Sequence, residues 1–146
     1  MNAPYPFVER RWTSPDGLSL FARDYAPGPG VARPPVIAIH GLTRNSADFE
    51  AIAPLLAQSG RRVLAVDVRG RGRSDRDDNP ANYALPMLCA DTLGLIARAG
   101  LDRPVLVGTS MGGLMAMGMA AANPGAFRGL VLNDVGPQVE AGGLAR

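Results

Sequence analysis

The chain has 146 residues, 47% of them hydrophobic and 19% charged, values that suit one soluble globular domain with a core of its own. Its formal net charge of +2, from 15 basic against 13 acidic residues, is too small to indicate a nucleic-acid partner. A single cysteine, Cys89, excludes an intrachain disulfide.

In chain order, Met1 to Pro6 shows no basic segment followed by an apolar run, so no signal peptide is expected and the cytoplasm is the default compartment. Residues 8–13 and 18–26 read as two strands joined by Ser14-Pro15-Asp16-Gly17, where Pro sets φ and Gly accepts a positive φ. Leu18, Leu20 and Ala22 alternate with Ser19, Phe21 and Arg23, the pattern of a partly exposed strand. A Pro/Gly-rich connector spans Pro27 to Pro35.

The texture then changes. Val36–Ile39, Val63–Val66, Val105–Val107 and Leu130–Leu132 are continuous apolar runs, as in strands buried on both faces of a parallel sheet. Helical patterns separate them. Phe49, Ile52, Ala53 and Leu56 recur at helical spacing, and Leu85, Leu88, Cys89, Thr92, Leu95, Ile96 and Ala99 form one apolar face. Cys89 on that face reads as a buried small hydrophobe. Met111 to Ala122 is apolar all round, as in a helix packed on a sheet, and its methionines 111, 115, 117 and 119 read as core, with Met111 bordering any site. Val105 to Ala122 is about long enough to span a bilayer, but its glycines and Ser110 favour strand, turn and helix. The expected architecture is α/β: two strands, then β-α-β-α-β-α-β in a doubly wound layout. From Val135 onward, Gly136-Pro137-Gln138 and Ala141-Gly142-Gly143 read as loop.

Three motifs carry chemistry. Gly108-Thr109-Ser110-Met111-Gly112 lies between an expected strand and helix, which marks a sharp turn that presents a serine. There the Met111 N–H and the helix N-terminus face the place where an oxyanion would form. A Gly/Ser-rich turn without chemistry is the alternative for this motif alone. His40-Gly41-Leu42 ends another expected strand and offers the Leu42 N–H as a second oxyanion donor. Asp67-Val68-Arg69-Gly70-Arg71-Gly72-Arg73-Ser74-Asp75 follows a third, with Asp67 and Ser74 placed to bond backbone N–H groups. The run Arg69, Arg71, Arg73 and Arg76, interleaved with Asp75, Asp77 and Asp78, reads as a solvated loop that neutralises itself.

Taken together, His40-Gly41, Asp67-x-Arg69-Gly70-x-Gly72-x-Ser74 and Gly108-x-Ser110-x-Gly112-Gly113 resemble the α/β-hydrolase family in its serine-nucleophile branch, over nearly the whole chain. The resemblance implies an eight-stranded sheet of which residues 1–146 form the N-terminal part, with six strands and the start of a cap region near 135–146. The final two strands and the rest of the cap are not in the sequence. It implies Ser110 as nucleophile, Leu42 and Met111 as oxyanion hole, and no metal or organic cofactor. A serine at this position sets the chain apart from the epoxide hydrolases and haloalkane dehalogenases, which carry an aspartate there. Thr109 stands where a histidine is common.

His40 is the single histidine. Its place in the motif suits a hydrogen-bonded structural residue that shapes the oxyanion loop, not the general base. Asp134, ending the sixth strand, is a candidate acid, against a role in capping the following loop. Arg44 and Phe49 are candidate pocket residues; capping or surface roles suit Arg44 and Asn45 equally. The implied activity is hydrolysis of an ester or related acyl substrate through an acyl-enzyme, incomplete in this chain without a histidine from elsewhere. Carbon–carbon bond hydrolysis, lactone opening, perhydrolysis and acyl transfer would use the same residues. The expected partners are a small acyl substrate and, as a second chain, the remainder of the same protein, since Arg146 in a Gly-rich stretch suits a trypsin-like cut; a truncated reading frame is the alternative. No nucleic acid or membrane is expected. A non-catalytic binding or scaffold protein of this fold is the competing reading.

Overall fold

The computed structural model describes residues 4–135. The cap region expected beyond Val135 and the cut expected at Arg146 lie outside the described residues. β1 (Val8–Thr13) and β2 (Ser19–Tyr25) form an antiparallel pair with Val8 opposite Asp24 and Thr13 opposite Ser19. Their turn closes as expected: Gly17 has φ +97°, and the Ser14 hydroxyl accepts the Leu18 N–H at 2.8 Å.

β3 (Val36–Ile39), β4 (Val63–Asp67), β5 (Val105–Thr109) and β6 (Gly129–Asn133) are parallel, and the sheet order is β1-β2-β4-β3-β5-β6. The apolar runs therefore form strands where the sequence places them, but only β3 and β4 are buried on both faces as expected; β5 is partly buried, and Val131 and Leu132 of the edge strand β6 are exposed because no strand or helix among the described residues covers them. Successive residues face opposite sides. Ile37, Ile39, Leu64, Val66 and Leu106 pack under α2 (Leu85–Arg98) and α3 (Met111–Ala122), while Val36, Ala38, Val63 and Ala65 pack with Ala53 and Ala57 of α1 (Ile52–Gln58). Val105–Ala122 is thus strand, turn and helix, and no helix among the described residues is long and apolar enough to cross a membrane. Met115 and Met119 are fully buried, Met111 nearly so. Cys89 is half-buried in the face of α2 toward α3, and burial pushes its thiol pKa up.

Three further expectations need correction. β2 is not a half-exposed strand, because side chains cover its outer face as well: Phe21 is buried, with the guanidinium carbons of Arg11 and Arg73 at 5.5 and 5.0 Å from its ring centre. Phe49 belongs to a 3-10 turn, Ser46–Phe49, separate from α1, and Ile52 is exposed instead of facing the core. The third correction matters most. The arginine run is not a solvated loop throughout, since Arg69 has no solvent exposure at all.

Arg69 holds two carboxylates closely and a third, Asp77, at 3.5 Å. Its Nε and Nη2 donate to Asp91 at 2.7 and 2.8 Å, its Nη1 and Nη2 to Asp16 at 2.9 Å each, and Nη1 also reaches the Asn82 carbonyl at 3.2 Å. Asp91 comes from the buried face of α2, between Leu88 and Leu95. The hydrogen bonds from Arg69, then from Ser14, pull the Asp16 carboxyl down to about 2. One side chain thereby ties the β1–β2 turn, the segment after β4 and α2 together.

Removing one member of such a cluster leaves a buried charge unpaired, which costs about 3–5 kcal/mol. Arg69→Ala is expected to lower the urea midpoint severely, whereas Arg44→Ala, which breaks the exposed Arg44–Asp48 pair, leaves it nearly unchanged. Equilibrium denaturation of the two variants checks the contrast.

Candidate active site

Ser110 occupies the turn between β5 and α3 with φ +51° and ψ −113°, a backbone conformation that L residues rarely adopt. Its surroundings over-determine that conformation. The Ser110 N–H donates to the Asn133 carbonyl at 2.9 Å, and its own carbonyl accepts the N–H groups of Gly113 and Leu114 at 2.9 and 3.1 Å. The flanking glycines are steric necessities. A Cβ on Gly108 would collide with the Gly112 carbonyl, and one on Gly112 would collide with the Ile39 carbonyl and sit 2.9 Å from that of His40. The first turn of α3 thus rests directly on the backbone at the end of β3.

That contact brings the His40-Gly41-Leu42 segment beside the serine: a Cβ on Gly41 would lie 3.6 Å from Ser110 Cβ. His40 is fully buried and uses both ring nitrogens. Nε2 accepts the Val68 N–H at 3.0 Å, so the ring proton sits on Nδ1, which donates to the Gly41 carbonyl at 2.7 Å. The Arg44 N–H also reaches that carbonyl, at 3.1 Å. Gly41 C=O and Leu42 N–H belong to one planar peptide unit, so holding the carbonyl orients the amide. Burial lowers the His40 pKa and keeps the ring neutral. With its acceptor nitrogen engaged, His40 has the structural role its motif suggested.

Asp67 and Ser74 act as the sequence suggested. Asp67 accepts the Ser46 and Arg73 N–H groups at 2.7 and 2.9 Å, and the Ser74 hydroxyl donates to the Asp67 carbonyl at 2.6 Å while accepting the Phe21 N–H at 2.9 Å. Beside Met111 and Leu42 opens a cleft of about 490 Å³, walled further by Gly70, Arg71, Tyr83 and Leu88. The sequence reading missed Arg71 and Tyr83. Arg71 carried a faint signal, a long cation between two glycines of a tight loop.

Ser110 adjoins the cleft through Met111 without lining it, and the remaining candidates do not converge on it. Asp134 is exposed just beyond β6, with φ +57°, on the same sheet edge as Ser110, and accepts no hydrogen bond among the described residues. Arg44 is committed to Asp48 through three contacts of 2.7–3.1 Å, and Asn45 caps the 3-10 turn by accepting the Ala47 N–H. Phe49 is buried in the core on the α1 side and borders a separate depression with Val107, Thr109 and Val131.

Residues 34–142 match the α/β hydrolase fold family. The chain belongs to that family. Among curated members, the 3-hydroxybutyrate-oligomer hydrolase of Cupriavidus necator is 40% identical over 133 residues, which is 91% of this chain and 45% of the relative. The sn-1-specific diacylglycerol lipase ABHD11 of Xenopus laevis is 35% identical over 108 residues, 73% of this chain and 34% of that one. A crystal structure of an α/β hydrolase from Novosphingobium aromaticivorans superposes with a TM-score of 0.89 at 45% identity, covering all of this chain and 50% of its own. The chain therefore spans about half the length, or less, of the α/β hydrolases it matches, and these relatives are hydrolases.

The neutral, buried His40 makes stability pH-dependent. The unfolded histidine takes up a proton below about pH 6.5 and the folded one does so only at lower pH, so stability falls as pH drops through that window, by at most about 1.4 kcal/mol per pH unit. Urea titrations between pH 7.5 and 5 are expected to show this slope. As His40 is the single histidine, His40→Gln is expected to remove it.

Proposed function

We propose that this α/β-hydrolase segment supplies the nucleophile and the oxyanion hole of a serine hydrolase acting on esters or related acyl substrates. The observation that carries the reading is the strained Ser110, held at φ +51° between β5 and α3 with the Gly41-Leu42 peptide beside it. The Met111 amide is the first of α3, with no carbonyl one turn ahead to accept its hydrogen bond.

In this reaction Ser110 Oγ attacks the acyl carbon, and the carbonyl π electrons move onto oxygen, where the Leu42 and Met111 amides hold the charge. The intermediate collapses, expels the alcohol and leaves an acyl-serine, which water hydrolyses. Each half-reaction needs a base near Ser110 Oγ. His40 cannot serve, because its Nε2 lone pair is engaged by Val68, so the base is a histidine outside these 146 residues. Asp134, on the edge beside Ser110, remains a candidate to orient that histidine.

The relatives support ester chemistry. One is named for oligomers of a hydroxy acid, which are joined by ester links, and another for a diacylglycerol. An ester substrate held in the cleft beside Leu42 and Met111 is the reading for this protein.

A fluorophosphonate probe tests it. Offered together with the histidine-bearing segment, the chain is expected to be labelled, and Ser110→Ala to abolish the label. Labelling that persists in Ser110→Ala would refute the assignment, as would none in a folded, complemented sample. The chain alone is expected to react far more slowly, because a serine lacking its base retains only the oxyanion-hole contribution.

A further inference from the structure

Arg71 lines the same cleft as Leu42 and Met111, the residues whose amides are the candidate oxyanion donors, and the chemistry proposed above gives it no task. Its half-buried side chain is fixed at two points. Nε donates to the Leu42 carbonyl at 2.9 Å and Nη1 to the Arg69 carbonyl at 3.0 Å. The guanidinium carbon lies 5.8 Å from the centre of the Tyr83 ring, a cation–π contact that limits its swing further.

These anchors are neutral. Arg44, Arg62 and Arg69 each meet a carboxylate, but Arg71 meets none among the described residues, and nothing there accepts from its Nη2. A guanidinium has more donors than two carbonyls use, set in a planar fork that matches a carboxylate. The acids nearby do not fill that place. Asp77 is engaged by Arg69, the Asn79 N–H and the Asn82 side chain, while Asp78 is exposed at the rim, where Arg76 adds a second cation. Leu42, Leu88 and Met111 supply apolar wall for a short carbon chain between the ester and an anionic end.

We infer that Arg71 is a specificity-determining residue whose unused donors bind a carboxylate on the substrate, so that the site prefers short esters bearing a negative charge to neutral ones. The inference deepens the ester reading and rests on it for the word substrate, but the binding it claims does not require a reactive serine.

The test compares monomethyl succinate, an anionic ester, with dimethyl succinate, its neutral counterpart, by amide NMR titration of the 146-residue chain at pH 7. The anionic ester is expected to bind about tenfold more tightly, the scale of one charge-assisted pair, with shifts at Leu42, Arg71 and Met111. Arg71→Gln is expected to equalise the two ligands, and Arg71→Lys to keep a reduced preference. Equal binding by the unaltered chain, absence of binding by both esters, or a preference that survives Arg71→Gln would each overturn the inference. The comparison in the unaltered chain decides even if Arg71→Gln does not fold. Ser110→Ala should keep the preference intact, so a failed labelling experiment and a failed binding experiment remain separate results.

Discussion

Helix α3 begins in backbone contact with the end of β3, at a spot where a Cβ on Gly112 would overlap the Ile39 carbonyl. Close packing at that point sets the rest of the site. It turns the chain sharply at Ser110, places the serine at the carboxyl edge of the parallel strands, and lays Gly41 against its Cβ. The strain at Ser110 persists because hydrogen bonds from three directions fix both sides of the residue. On the other side of α3, Gly113 leaves space for Val135, whose methyl occupies the position a Cβ would need.

A second constraint, electrostatic in kind, fixes the wall of the cleft. Arg69 is buried among Asp16, Asp91 and Asp77, and the segment that follows it carries Gly70, Arg71 and, at the end of the 3-10 turn Pro80–Tyr83, Tyr83. A buried ion cluster is weak evidence for stability, since desolvation offsets much of the attraction. Its effect here is geometric: a bidentate guanidinium accepts few arrangements of its partners. The loop after β4 is thereby registered against α2 and the β1–β2 turn, and through the Arg71 contact to the Leu42 carbonyl it is registered against the segment after β3 as well. His40 makes the complementary link, from Val68 to Gly41.

These parts divide by breadth of use. The glycine contacts, His40 and Asp67 hold the backbone of the corner around Ser110. Side chains that face the cleft without holding the corner, such as those of Tyr83 and Leu88 and the free edge of Arg71, are where relatives named for hydroxy-acid oligomers or for diacylglycerols have room to differ.

The sequence by itself determined the strands, the helices and the corner, because these rest on short-range signals. Short continuous apolar runs between turn signals suit strands of a parallel sheet, and Gly108, Ser110 and Gly112 within five residues permit few turns. It also indicated that His40 is structural and that Asp67 and Ser74 bond to backbone, since motif position and side-chain reach are local properties. What it could not determine depends on partners far along the chain. Asp91 looks like an interruption in an apolar helix face until Arg69, 22 residues earlier, is seen to fill its two oxygens. Arg69 and Arg71 look alike in a basic run, yet one is sealed in by three carboxylates and the other is held open by two carbonyls. Phe21 reads as outward until the side chains of Arg11 and Arg73, the latter 52 residues on, are seen to cover its ring. Burial and charge pairing are sums over the whole packed surface, and only the tertiary structure performs that sum.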